Sequence, residues 1–135
     1  FTLDFQCLQS CGHRPADLER LLDCVDVVMA DIKIASSAGR ATPPRDVRAF
    51  LRLAAQKECA VKVVVSARTA APEVVAAARV AREEAPRAPF VLQPVEGARF
   101  DPPGGEHLLE LQEACLRVHP GVRVIPQVHR AIHVR

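Results

Sequence analysis

Residues 25–34 read VDVVMADIKI. The β-branched run is too short for an amphipathic helix and suits a buried strand. On a strand, side chains alternate between faces, so Asp31 and Lys33 point the same way where this one ends. Outward from it the apolar period becomes helical on both sides. In PADLERLLDC (15–24), Leu18, Leu21 and Leu22 have helical spacing and Pro15 suits a first turn. In PRDVRAFLRLAAQKE (44–58), Val47, Phe50, Leu51 and Ala54 form one stripe, with Arg45, Arg48 and Arg52 opposite.

The alternation then repeats. AVKVVVS (60–66) reads as strand, APEVVAAARVAREEA (71–85) as an Ala-rich helix, and PFVLQPV (89–95) as strand. GGEHLLELQEACLRV (104–118) reads as helix and VRVIPQ (122–127) as strand, with FTLDFQCLQ (1–9) a further strand ahead of them all. Such a string with short connections predicts an α/β fold, a single domain over 1–135 with a parallel β-sheet built from repeated β-α units. About five strands make either a small open sheet or a partial (β/α) barrel, and period alone does not choose. The longer loops, 34–44 and 96–104, hold most of the Gly, Pro and Ser.

At 135 residues the chain suits one core. With 49% apolar and 25% charged residues it has a globular composition. No apolar run approaches a bilayer-spanning helix and no signal peptide opens the sequence, so no membrane partner is expected. The first residue is Phe1 rather than Met, which predicts that the sequence begins inside a longer reading frame. A net charge of +2 and 4% aromatic residues argue against nucleic acid. The five cysteines, Cys7, Cys11, Cys24, Cys59 and Cys115, are an odd set, which favours a reducing cytoplasm over disulfides. Cys24, Cys59 and Cys115 read as buried small hydrophobes.

In parallel α/β folds the site lies at the carboxyl ends of the strands. Those ends carry Gln9, Ser10, Cys11, Gly12 and His13 on the first strand, Asp31 and Lys33 on the second, and Lys62 and Ser66 on the third. Gln93 follows on the fourth, Gln127 and His129 on the fifth. Leaving such groups buried without partners costs about 1–3 kcal/mol each, so they face one another or a ligand. An Asp beside a Lys can accept from ribose hydroxyls while the Lys donates, which suits an adenosine-type ligand; the alternative is a same-face ion pair. CLQSCGH (7–13) brings two Cys and a His close in sequence, but no second ligand pair follows at zinc-site spacing. There is no G-x-S-x-G elbow, no G-x-G-x-x-G and no Walker loop.

Taken in order, LQSCGHRPADLERLL, VDVVMADIKI, VKVVVS, FVLQPV and VRVIPQVHRAIHVR resemble the carboxyl-terminal part of the radical S-adenosylmethionine enzymes, most closely the 7-carboxy-7-deazaguanine synthases. The resemblance runs over essentially the whole chain. It implies a partial (β/α) barrel acting in deazapurine (queuosine-precursor) biosynthesis. It also implies that Asp31, Lys33, Ser66 and Gln93 face S-adenosylmethionine, while Gln127 and His129 contact a pterin-like substrate. The family's cluster is held by a C-x-x-x-C-x-x-C loop. Here Cys7 and Cys11 have the first spacing but Arg14 occupies the third position, Gln9 and Ser10 stand where the family tends to have Glu and Thr, and the Gly-Gly-Glu strand is missing.

The resemblance therefore implies the part of such an enzyme that lacks the cluster half: no iron–sulfur cluster on this chain, no metal, and no radical catalysis by the chain alone. The competing expectation is an independent α/β module that binds a small ligand or a protein. Unpaired edge strands further predict self-association, most simply as a homodimer.

Overall fold

A computed structural model describes residues 7–10 through their backbone, together with residues 15–96 and 99–126. Five strands, β1 (Cys7–Ser10), β2 (Val27–Ile32), β3 (Glu58–Val65), β4 (Phe90–Pro94) and β5 (Val122–Val124), pair in parallel in the order of the chain. Helices α1 (Pro15–Leu21), α2 (Ala35–Ala38), α3 (Pro44–Ala54), α4 (Ala71–Glu84) and α5 (Gly105–Leu116) lie between them, and a 3-10 turn (Leu22–Cys24) follows α1. The protein is α/β with a parallel sheet, as the alternating periods predict.

Strand order bears on what period left open. A doubly wound sheet reverses its order at a switch point. Here the order never reverses, and the long helices touch in succession, α1 on α3, α3 on α4, α4 on α5. One helix layer on one side of a sequential sheet is compatible with a section of a (β/α) barrel.

The two faces of the sheet differ accordingly. Val28, Ala30, Val61, Val63, Phe90 and Leu92 are fully buried toward the helices. The Val, Phe and Leu side chains among them each contribute about 1.5–3 kcal/mol of transfer free energy. The α3 stripe of Val47, Phe50, Leu51 and Ala54 is buried as expected, and Ala78 and Ala81 let α4 approach closely. On the opposite face Met29, Lys62, Val64 and Gln93 are half-buried and Arg123 is exposed.

Pro44 opens α3 with Asp46 in its first turn and Arg52 in its last, which complements the helix dipole. Helix α2 closes on Gly39 at φ 77, a left-handed position that favours glycine.

Several boundaries depart from the sequence reading, each for a local reason. Helix α3 ends at Ala54 rather than 58, because the Gln56 and Lys57 amides turn back to Leu53 and Ala54 while Glu58 already pairs with Val27. The loop expected at 34–44 contains α2. Strand β5 ends at Val124; Ile125 still donates to Leu92, but Pro126 has no N–H with which to extend the ladder. Of the strand expected over 1–9, Cys7–Ser10 is described and is strand, and Phe1, Leu3 and Phe5 lie outside the described residues. At the end of α1 the backbone tightens into the 3-10 turn, which leaves Leu21 exposed and off the stripe. The same turn exposes Cys24, correcting the expectation that it is buried. Cys59 is half-buried and Cys115 fully buried; burial pushes both thiols up to about 11, which suits inert packing groups.

His119, between α5 and β5, is buried with its ring centroid 5.7 Å from that of Phe90. Its Nδ1 accepts from the Gly121 N–H at 3.0 Å, which fits the neutral ring. Burial first, and the nearby Arg82 charge second, hold its pKa below the ordinary 6.5. The unfolded chain therefore takes up a proton before the folded one does. The stabilisation is complete above about pH 6.5 and is lost as pH falls through and below that value. Thermal unfolding followed between pH 7.5 and pH 5.5 should show a falling Tm, with a shallower fall in His119→Phe. Equal slopes in the two proteins would remove His119 from the account.

Candidate functional site at the strand ends

The site is built where β2, β3 and β4 end, because in-register parallel strands stack same-face residues into rows. Asp31 is the ladder partner of Lys62, Lys62 of Val91, and Val91 of Arg123. Lys33 stands just beyond β2, and Val64 pairs with Gln93 one row above Val91.

Within the first row Asp31 is the buried charge, at 8% exposure. Its Oδ2 accepts from Lys33 Nζ at 2.7 Å. Lys62 Nζ approaches the same oxygen to 4.0 Å, an ion-pair distance but too long for a hydrogen bond. The other oxygen, Oδ1, is buried and has no hydrogen-bond partner among the described residues. A carboxylate oxygen so placed is a vacant acceptor that a ligand hydroxyl could satisfy. Lys33 is anchored through its backbone: its N–H donates to Thr42 Oγ1 at 3.1 Å and its carbonyl accepts from the Thr42 N–H at 3.0 Å.

Ser66 is used differently. It is 1% exposed; its hydroxyl donates to the Ser36 carbonyl at 2.8 Å and accepts from the Arg68 N–H at 3.2 Å. Thr69 Oγ1 accepts from the Ser66 N–H at 2.9 Å and shares a 2.7 Å hydrogen bond with Ser36 Oγ. Glu73, in the first turn of α4, accepts from the Ser36 N–H at 3.1 Å. The Thr69 carbonyl meets His107 Nε2 at 2.7 Å, and Ser37 Oγ donates to the Val64 carbonyl. This network ties the α2 turn, the end of β3 and the starts of α4 and α5 into one rigid rim. Ser66 thus positions the loop through its internal hydrogen bonds. Gln93 is half-buried, and its amide has no hydrogen bond among the described residues.

Of the expected site residues, the fold brings Asp31 and Lys33 together, places Gln93 on the same face, and builds Ser66 into the rim. Gln127 and His129 lie outside the described residues, as do Cys11, His13 and the side chain of Cys7. The sequence reading missed the rim residues Ser36, Thr42, Thr69 and Glu73. The S-x-x-T spacing of Ser66 and Thr69 just before a Pro- and Glu-bearing helix start was the available signal. Among the described residues no group of three His, Cys, Asp or Glu side chains is placed to hold a metal ion, and no helix is long and apolar enough to cross a membrane.

No family model matches the chain. Over 125 residues it is 35% identical to a curated protein of Geobacter sulfurreducens. That protein is 7-carboxy-7-deazaguanine synthase. An identity at that level over such a length marks the two as related. The match takes in 91% of this chain and 50% of the synthase, so the chain spans about half the length of its relative. The strand-end residues described above therefore belong to the half that this chain shares with the synthase.

Proposed function

We propose that this chain supplies the ligand-facing part of a radical S-adenosylmethionine enzyme related to 7-carboxy-7-deazaguanine synthase, with a barrel section as its scaffold. The observation that carries the reading is the Asp31 carboxylate: a buried, unpartnered Oδ1 beside an Oδ2 held by Lys33, at the carboxyl edge of a sequential parallel sheet. That arrangement fits a ribose hydroxyl donating to Oδ1. Asp31 and Lys33 would hold the nucleoside, Gln93 would offer its amide from the next row, and Ser66 would keep the rim in place. Gln127 and His129 are assigned to the pterin-like substrate by family resemblance. S-adenosylmethionine together with an iron–sulfur cluster supplies one-electron chemistry in this enzyme class. What these residues do is bind and orient.

The 135 residues contain no C-x-x-x-C-x-x-C run. Anaerobic reconstitution of this chain should accordingly leave no stoichiometric iron, while S-adenosylhomocysteine should bind one-to-one by calorimetry. A cluster with visible absorbance would overturn the first part. Absence of binding by any adenosine compound would overturn the second.

A further inference from the structure

We infer that Thr42 is a positioning residue, which fixes Lys33 against Asp31. The inference rests on the proposed site only in giving that pair a ligand to hold; the clamp itself is a matter of backbone geometry.

The pairing of β2 with β3 ends at Ile32 and Val63, so Lys33 lies one residue past the ladder. Beyond it the chain makes the single turn of α2 and reverses at Gly39. Lys33 and Thr42 close that excursion with two hydrogen bonds. The Lys33 N–H donates to Thr42 Oγ1 at 3.1 Å, and the Thr42 N–H donates to the Lys33 carbonyl at 3.0 Å. Thr42 is buried, which limits competition from water for both bonds. Pro43 follows it, and a residue before proline is pushed toward extended backbone, as β-branching also favours. That suits a residue that meets Lys33 side by side. The Pro43 carbonyl in turn accepts from the Asp46 and Val47 amides at the start of α3, whose apolar stripe is buried in the core. Through α3 the clamp is therefore referred to the core.

The Lys33 side chain needs that support. It is 42% exposed, and a long ammonium chain must give up several torsional freedoms to keep one 2.7 Å bond to Asp31. Holding both the N–H and the carbonyl of Lys33 fixes the direction in which its side chain leaves the backbone. Only the side chain's own torsions then remain to be held. Thr42→Val keeps the shape and the bond from its own N–H, but leaves the Lys33 N–H without its acceptor. Thr42→Ser keeps the acceptor.

The first part of the test uses no ligand. Brief acetylation at pH 7.5 followed by peptide mass spectrometry gives the rate at Lys33 relative to Lys57, which lies at the opposite end of the sheet just before β3 begins. An amine held on a carboxylate is shielded from the reagent, and the Lys57 reference removes any general loosening. Thr42→Val should raise the ratio about two- to tenfold, the weight of one hydrogen bond, and Thr42→Ser should leave it near wild type. In the second part, calorimetry with S-adenosylhomocysteine should show Thr42→Val weakening binding by a similar factor, with no further loss in a Lys33→Ala background. Circular dichroism checks that the variants fold, and Thr42→Ala replaces Thr42→Val if the latter does not. A ratio unchanged in Thr42→Val overturns the inference, while binding of S-adenosylhomocysteine would still leave the nucleoside reading standing. A raised ratio with no binding by wild type keeps the clamp and removes the nucleoside reading. An equal loss of affinity with and without Lys33 would make Thr42 a loop residue that does not act through Lys33.

Discussion

Phe90→Ala should lower the free energy of unfolding by about 3–5 kcal/mol. Phe90 is fully buried on the helix side of β4, with Phe50 one of the two largest fully buried side chains among the described residues, and its ring centroid lies 5.7 Å from that of His119. Its backbone N–H donates to the Gly121 carbonyl and does so equally with alanine in place, so the loss is the ring's transfer energy plus an unfilled cavity. Against a typical total of about 5–15 kcal/mol, that change takes much of the stability margin. Urea unfolding of wild type and variant gives the number directly. A difference below about 1 kcal/mol would mean that the cavity collapses or that the ring does not pack as described.

Asp31→Ala should weaken binding of an adenosine-type ligand by about 1–3 kcal/mol, and Lys33→Ala by a comparable amount. The first change removes both the vacant Oδ1 acceptor and the carboxylate that Lys33 and Lys62 share. Asp31→Asn keeps an acceptor and loses the charge, so its effect should be smaller. Because Asp31 and Lys33 touch at 2.7 Å, the double variant should lose less than the sum of the single ones. Unchanged affinity in both single variants would leave the pair as an ion bridge that fixes the end of β2.

The fold was legible wherever one face of one element met the core. The α3 stripe is an example: 3.6-residue spacing puts Val47, Phe50, Leu51 and Ala54 on one side whatever packs there. The Asp31–Lys33 pairing was legible for the same reason, since strand alternation puts both on one face. Strand order was not, because period says how an element is sided and nothing about its neighbours. Lys62 and Asp31 are 31 residues apart in sequence, and only the register of β2 against β3 makes them adjacent. The rim was the least legible part. Ser36, Ser66 and Thr69 are ordinary small polar residues until two separate segments converge, and α2 is one turn whose residues carry no helical stripe.

The monotonic order of the strands also governs how the chain can assemble. Each new strand pairs with the one made just before it, across one or two intervening helical segments. No strand has to wait for a distant stretch to emerge before it finds its edge, so loop-closure entropy stays small at every step. Emerging from the ribosome amino end first, the polypeptide can add β-α units one at a time to a growing sheet. At each stage the newest strand presents the edge that the next one claims.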